Sequence, residues 1–299
     1  MKARKLARKI KEMGVVVREE VPLSRYTTIR TGGPAKIMVF PETVEELIEI
    51  WHFLRSEGVP YFILSGGSKV LFPDEGFSGV VVSLRRLRGV KELVPGRLEV
   101  LSGTPVSTLI AYGMREGFSG AEFLAGVPAT VGGALYMNAG AFGRSFSELV
   151  EELELLTEAG PVRLKARPQW WGYRSFNGPE GVFVRATIKL YPALRERART
   201  LVKEALLRRR RNQPLGLPSF GCVFKNPNGI SAGYLIEEVG LKGFTRGGAV
   251  ISEKHANFIL NRAQASTGDI LYLIEEARER VFKDFGLELE PEVRIVGPN

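Results

Sequence analysis

The sequence lacks the residues on which disulfide-linked and metal-binding proteins depend. It contains one cysteine, Cys222, so no intrachain disulfide can form, which is typical of proteins from a reducing compartment. Its two histidines, His52 and His255, show no metal-ligand spacing with that cysteine. We therefore expect a protein without a metal site.

Long apolar runs are also missing. No stretch of about 18 apolar residues occurs, so no membrane-spanning helix is expected. The first 14 residues are basic and lack the apolar centre of a secretory signal. We expect a short amphipathic helix there, and a cytoplasmic protein that does not contact a membrane.

Positive charge is abundant, with a net charge of +9 and a pI of about 9.7. Such an excess of positive charge favours binding to nucleic acid, to a membrane surface or to an anionic small molecule. The densest run, Arg208 to Arg211, ends a helical pattern, where cations favour the helix dipole. No aromatic residues alternate with it, as they do in many nucleic-acid-binding surfaces. We favour a solvated helix end and expect no nucleic-acid partner.

Glycine is concentrated between Gly120 and Gly143, in GAEFLAGVPATVGGALYMNAGAFG. Glycine lets the backbone approach an anion closely, and neighbouring N–H groups form anion-binding concavities. Because the stretch carries no charge after Glu122, we interpret a phosphate or pyrophosphate as the partner of its N–H groups. The alternative is a glycine-rich turn packed in a core.

A second glycine-rich loop, Ser65-Gly66-Gly67-Ser68-Lys69, follows the apolar strand predicted at Tyr61 to Leu64. Its N–H groups, hydroxyls and ammonium group all suit phosphate. Alone it is indistinguishable from an ordinary turn after a strand. Two such loops in one chain favour a bound nucleotide.

Further along the chain, Arg174 lies in the aromatic segment Trp170 to Phe176, and a guanidinium in such surroundings suits an anion or a ring face. A long arginine-rich helix is predicted at about 193–211, after a domain boundary near Tyr191. Ser266 and Asp269 predict a capped final helix that ends near Phe285.

Seven segments of the chain occur in the order found in a known family: 26–33, 65–68, 126–134, 137–141, 173–174, 221–227 and 290–294. Through them the chain resembles the UDP-N-acetylenolpyruvoylglucosamine reductase (MurB) family, in its shorter subtype, over nearly its whole length. The first loops are shared by the wider vanillyl-alcohol-oxidase class of FAD-binding proteins. The last two segments point to the reductase.

The resemblance implies an α+β fold with a two-part FAD-binding module of the vanillyl-alcohol-oxidase/PCMH type at 1–84 and 85–195. An α/β substrate-binding domain would follow at 196–299. The implied reaction uses NADPH and FAD to reduce UDP-N-acetylglucosamine enolpyruvate to UDP-N-acetylmuramate in peptidoglycan precursor synthesis. A hydride adds to the enol methylene carbon and a proton to its neighbour. We expect a monomer.

The resemblance also implies site residues. Cys222 would donate the proton where the family usually has serine, and a thiol is more acidic than an alcohol. Arg174 and Glu292 would stabilise the charge that develops on the substrate. The implied FAD-binding residues are Ser65, Gly66, Gly67, Ser68, Lys69, Gly126, Pro128, Thr130, Gly132, Gly133, Asn138 and Gly140. The implied substrate-binding residues are Tyr173, Lys225, Asn226 and Tyr234.

Each assignment has a plainer alternative. Cys222 would then be a small buried apolar residue. Glu292 would face solvent on a strand, because it alternates with the apolar residues of Leu287 to Val296. Residues 225, 226 and 234 would be surface or capping residues. The chain also departs from the family at Lys69, where asparagine is common, at Ala129 and at Ser175, which follows Arg174 without a spacer.

Two other functions are open to the sequence. One is an FAD-dependent oxidase of the same FAD-binding class that acts on another small molecule. The other is a nucleic-acid-binding protein, for which only the basic charge and the arginine run argue.

Overall fold

Helices and strands are mixed along the chain in the computed structural model, which describes residues 3–297. The helices are α1 (Ala3–Glu12), α2 (Val44–Ser56), α3 (Val106–Glu116), α4 (Val131–Tyr136), α5 (Arg195–Asn212), α6 (Ala232–Glu238) and α7 (Thr267–Phe285). Within the described residues, no helix is long and apolar enough to cross a bilayer.

The strands are short and numerous. They are β1 (Val16–Pro22), β2 (Pro34–Phe40), β3 (Tyr61–Leu64), β4 (Val70–Leu71), β5 (Phe77–Ser83), β6 (Val90–Val94), β7 (Arg97–Leu101), β8 (Phe118–Ser119), β9 (Gly140–Ala141), β10 (Arg144–Ser145), β11 (Val150–Thr157), β12 (Gly160–Lys165), β13 (Trp171–Gly172), β14 (Ser175–Phe176), β15 (Val182–Lys189), β16 (Tyr191–Pro192), β17 (Ser219–Cys222), β18 (Thr245–Arg246), β19 (Ala249–Ile251), β20 (Phe258–Asn261) and β21 (Arg294–Ile295).

The described chain divides into two compact units. Unit one comprises the residues up to Glu19, Ile37–Gly66 and Gly79–Arg208. Unit two comprises Glu20–Lys36, Gly67–Ser78 and the residues from Arg209 onward. The sequence-based boundaries after residues 84 and 195 describe a different, three-part division and stay a prediction.

The residues of β1, β2, β3 and β5 that belong to unit one lie in a sheet of the order β1-β2-β5-β3, in which β3 and β5 are parallel. Helix α2 buries Leu47, Ile50 and Leu54 in the same core as the sheet residues Val80 and Val82. Because β3 is fixed in this sheet as far as Leu64, the loop that begins at Ser65 starts from a rigid position.

A second sheet of unit one has the order β12-β11-β15-β7-β6, and all its neighbouring strands are antiparallel. Leu98, Leu153 and Ile188 from its strands share one buried core with Val131 and Leu135 of α4. This core holds α4, the helix of the glycine-rich stretch, against the sheet.

Charges of alternating sign cross four strands of this second sheet. Arg185 on β15 lies between Glu99 on β7 and Glu154 on β11, with N–O distances of 3.2 and 3.4 Å. Arg163 on β12 contacts the same two carboxylates at 2.9 and 2.8 Å. Glu154 is buried, so its pairing with two guanidinium groups offsets the cost of its desolvation.

Unit two contains a sheet in the order β17-β20-β19-β18, whose paired strands are antiparallel, and it shares its core with α6 and α7. The predicted cap of α7 is confirmed: Ser266 Oγ accepts the Asp269 N–H, and Asp269 accepts the Ser266 N–H, both at 3.0 Å. The helix ends at Phe285, and the next residue, Gly286, has a φ of +65°, where glycine is favoured.

We predict that Glu154→Gln lowers the free energy of unfolding by about 1–2 kcal/mol, because two guanidinium groups lose their shared carboxylate. Glu152→Gln is the matched control, since Glu152 is an exposed residue of the same strand, and its effect should stay within about 0.5 kcal/mol. Urea unfolding at neutral pH measures both. Equal effects of the two substitutions would contradict a stabilising role for the charge network.

Candidate active site

The two glycine-rich loops meet in unit one. The Ser65 and Thr130 hydroxyl groups share a hydrogen bond. A Cβ at Gly66 would lie 3.6 Å from both the Pro128 carbonyl oxygen and the Thr130 nitrogen. The structure therefore brings Ser65 and Gly66 next to Pro128 and Thr130, four of the residues predicted to hold the cofactor.

The N–H groups of the two glycines in helix α4 donate hydrogen bonds within the protein. Gly132 N–H donates to Ser102 O at 2.8 Å, and Gly133 N–H donates to Thr130 Oγ1 at 3.4 Å. These two N–H groups therefore already have partners within the protein. A Cβ at Gly132 would lie 2.9 Å from Ser102 Cβ, so glycine is needed there for close packing. Gly126 is exposed, with a left-handed φ of +81°. Contacts of these glycines with the cofactor stay a prediction.

Arg174 occupies a two-residue turn between β13 and β14. Its φ of +57° is uncommon for a residue with a side chain. The guanidinium group donates to Gly140 O at 3.0 Å and lies 5.2 Å from the Tyr173 ring centre. A Cβ at Gly140 would come within 3.1 Å of that guanidinium, so glycine leaves room for it. The structure thus places Arg174, Tyr173 and Gly140 together, and Ser175 pairs with Gly172 directly after the turn.

Asn138 supports the same turn. Its side-chain amide donates to Gly172 O at 3.0 Å, and its side-chain carbonyl accepts the Ser147 N–H at 3.1 Å. Both polar atoms of this buried side chain therefore bind protein. Asn138 was predicted to bind FAD, which stays a prediction, but its observed contacts fix the arginine turn.

In unit two, Gly67 follows the first part of the loop with a φ of +72°. A Cβ there would lie 2.0 Å from Tyr26 O, and Gly67 O accepts the Thr28 N–H at 3.0 Å. No other residue fits this position without a backbone shift. The half-buried Ser68 comes next and is followed by Lys69.

Lys69, Cys222 and Glu292 form a cluster in unit two. The Lys69 ammonium group lies 2.8 Å from Glu292 Oε2 and also donates to the main-chain carbonyl oxygen of Cys222. Only 3% of the Glu292 side chain is exposed. The interpretation of Glu292 as a solvent-facing strand residue is therefore wrong.

The reason lies in the backbone. Residues 290–292 do not continue the alternating strand expected from the sequence but pair with residues 223–225. Lys225 N–H donates to Glu290 O at 2.9 Å, and Glu292 N–H donates to Val223 O at 2.7 Å. This pairing turns Glu292 inward, beside the segment that carries Cys222.

Cys222 ends β17 opposite Phe258 of β20 and packs against an apolar group that includes Val250 and Leu260. Its side chain is half-buried. The alternative interpretation of Cys222 as a small buried apolar residue therefore holds in part. Gly221, with a φ of +75°, lies directly before it.

Asn257 holds the segment after Cys222, a function that was not predicted from the sequence. Its side-chain carbonyl accepts the N–H groups of Val223 and Phe224 at 3.1 and 2.8 Å, and its amide donates to Phe224 O at 2.9 Å. Asn257 in turn donates its own N–H to His255 Nδ1 at 3.3 Å. A polar residue before the apolar run Phe258 to Leu260 was the signal available in the sequence.

The predicted substrate-binding residues of unit two lie on one stretch of chain. Lys225 pairs with the exposed Glu290 at 2.6 Å. Asn226 accepts the Ala232 N–H at 3.0 Å, as the capping alternative anticipated. Tyr234 is more than half exposed on α6. Their binding of substrate stays a prediction.

Known proteins match the chain along almost its whole length. Two family models match, one described as "UDP-N-acetylenolpyruvoylglucosamine reductase, C-terminal domain" at residues 213–296 and one as "FAD binding domain" at 35–164. The UDP-N-acetylenolpyruvoylglucosamine reductase of Syntrophus aciditrophicus is 40% identical over 290 residues, which cover 95% of this chain and 93% of that protein. The crystal structure of this reductase (MurB) from Thermus caldophilus is 35% identical, with a TM-score of 0.79, and the match covers 95% of this chain and 99% of that one.

A more distant structure, an alkyldihydroxyacetonephosphate synthase, is 15% identical with a TM-score of 0.50, and the match covers 63% of this chain and 40% of that one. This likeness concerns the fold alone. Together with the FAD-binding family model, it confirms the predicted fold class, a mixed α and β protein with an FAD-binding module of the vanillyl-alcohol-oxidase/PCMH type.

Burial lowers the pKa of His255 below its ordinary value of 6.5. At His255 the unfolded chain therefore binds a proton more readily than the folded chain. The stability that the neutral, buried His255 contributes is present above about pH 6.5 and is lost as pH falls through the folded pKa.

We predict that His255→Gln makes the free energy of unfolding decline less steeply between pH 7 and pH 5. Urea unfolding across that range measures it, with His52→Gln, an exposed residue of unit one, as the control. An unchanged slope in His255→Gln would contradict the prediction.

Proposed function

The chain belongs to the UDP-N-acetylenolpyruvoylglucosamine reductase family, and we propose that it reduces UDP-N-acetylglucosamine enolpyruvate with NADPH in peptidoglycan precursor synthesis. The observation that carries this proposal is the buried Glu292 carboxylate beside the Cys222 segment, inside the region that matches the reductase C-terminal domain. The same region argues against an oxidase that shares only the FAD-binding module.

The residues of unit one fit FAD. The half-buried Gly66 lies next to Thr130, whose hydroxyl group shares a hydrogen bond with Ser65, and Gly126 exposes backbone without a side chain. Hydroxyl and N–H donors of this kind suit a pyrophosphate. These four residues, with Pro128, would hold the cofactor, which when bound supplies hydride transfer between NADPH and the substrate.

Cys222 is proposed as the proton donor. Reduction of the enolpyruvyl group adds a hydride to the methylene carbon and a proton to the carbon that bears the carboxylate. A general acid must reach that second carbon within hydrogen-bonding distance, and the thiol Sγ–H is the group proposed to do so. The thiol then regains a proton from water before the next turnover.

Arg174 and Glu292 are proposed to stabilise the substrate as charge develops during reduction. Arg174 is a fixed cation, held by Gly140 O and the Tyr173 ring, and fixed donors are most effective where charge forms in the transition state. Glu292 is proposed to hold the enol-like form of the substrate. Lys225, Asn226 and Tyr234, together with Tyr173, are proposed to bind the UDP sugar, and a lysine is well suited to a diphosphate.

The cellular setting belongs to the same proposal. A single cysteine favours a reducing compartment, and we place the enzyme in the cytoplasm. We propose that it acts as a monomer.

The test separates the two halves of the reaction in the FAD-loaded protein. We predict that Cys222→Ala leaves flavin reduction by NADPH unchanged and slows reoxidation by the enolpyruvyl substrate by about 100-fold or more, the usual contribution of a general acid. Cys222→Ser is the matched variant and should keep activity, because its hydroxyl group can still donate. Anaerobic stopped-flow absorbance measures both steps. Normal reoxidation in Cys222→Ala would remove Cys222 as the donor.

A further inference from the structure

Lys69 occupies a position at which the reductase family commonly has asparagine, so this chain places an ammonium group where a neutral amide is usual. Its position in the loop Ser65 to Lys69 predicted a contact with the FAD phosphates. In the structure, the ammonium group is instead committed to Glu292 at 2.8 Å and to the Cys222 carbonyl oxygen.

These contacts connect the two segments that carry the proposed reactive side chains of unit two. The main chain of Lys69 adds a third contact, because Lys69 O accepts the Arg294 N–H at 2.9 Å. The strand that follows, β4, pairs with β21 in register Val70 to Arg294. Lys69 is thus fixed by its backbone to the chain just after Glu292, while its side chain bridges Glu292 and Cys222.

Burial makes the bridge energetically important. The Lys69 side chain is 22% exposed and the Glu292 side chain 3% exposed. A carboxylate at that depth needs a partner charge, and removal of one member of a buried pair leaves the other uncompensated. An asparagine could donate a hydrogen bond there but could not supply the charge.

We propose that Lys69 is a positioning residue for the reduction: its ammonium group fixes the Glu292 carboxylate and the Cys222 main chain relative to each other, and does not hold the cofactor. This inference rests on the proposed function of Cys222 and Glu292. It assigns to Lys69 a role in the step that consumes the enolpyruvyl substrate, and none in the step that consumes NADPH.

The test uses the FAD-loaded protein and three substitutions, Lys69→Met, Lys69→Arg and Lys69→Asn. With Lys69→Met, we expect FAD affinity and flavin reduction by NADPH to stay within about twofold, and reoxidation at saturating substrate to slow at least about tenfold, the scale of a lost positioning contact. The KM should change less than kcat. Lys69→Arg should recover most of the rate because it keeps the charge, and Lys69→Asn should lie between the two.

Lys242→Met is the matched control, since Lys242 pairs with Glu237 at the surface of the same unit. It should change neither half of the reaction. FAD binding is measured by fluorescence titration and the two half-reactions by anaerobic stopped-flow absorbance.

Unfolding in urea gives a readout that needs no activity. Lys69→Met should lower the unfolding midpoint, and adding Glu292→Gln should restore part of it, because no buried charge then lacks a partner. A double variant whose loss equals the sum of the single losses would contradict the coupling.

Three outcomes would overturn the proposal. If Lys69→Met lost FAD affinity but was reoxidised at the normal rate once loaded with FAD, Lys69 would be a cofactor-binding residue. Equal slowing of both half-reactions would indicate a general structural role, and unchanged kinetics would leave the bridge without function. If the substrate fails to reoxidise even the unsubstituted protein, the proposed function fails instead, and the urea cycle alone then decides the coupling.

Discussion

The placement of the candidate reactive groups in unit two depends on one short backbone pairing, between residues 223–225 and 290–292. Two hydrogen bonds, of 2.9 and 2.7 Å, join these segments across more than sixty residues of sequence. Because Glu292 lies within this pairing, its side chain points inward and meets the Lys69 ammonium group. Asn257 also holds the segment 223–225, because its side-chain carbonyl accepts the N–H groups of Val223 and Phe224. The carboxylate, the thiol segment and the lysine are therefore fixed by contacts that reinforce one another.

In unit one, the placement of the candidate site depends on glycine residues. At Gly132 and Gly140 the missing side chain makes room for protein atoms, Ser102 in the first case and the Arg174 guanidinium in the second. At Gly66 it leaves backbone next to Thr130, and at Gly126 it leaves backbone open to solvent. The two glycine-rich segments thus serve two purposes. One part of them packs a short helix against a sheet, and the rest is suited to hold an anion.

Local patterns in the sequence predicted local structure well. The Ser266 and Asp269 cap and the strand at Tyr61 to Leu64 depend on residues close in sequence, and both are confirmed. The alternation around Glu292 gave the wrong exposure, because its burial is set by pairing with a distant segment. The contacts of Asn257 and Lys69 were not predicted for the same reason, because their partners are distant in sequence. Asn257 binds Val223, and Lys69 pairs with Glu292, more than two hundred residues away. A motif resemblance pointed to Cys222, Arg174 and Glu292 in the sequence, but their neighbours depend on how distant segments fold together.

The measurement that tests the account most directly is the visible absorption spectrum of the unsubstituted protein, followed through one anaerobic cycle. The account predicts a flavin spectrum that bleaches on addition of NADPH and returns on addition of UDP-N-acetylglucosamine enolpyruvate. A flavin that returns only when air is admitted would contradict the reductase and favour the oxidase. A protein that binds no FAD even on reconstitution would contradict the assignment of both glycine-rich loops.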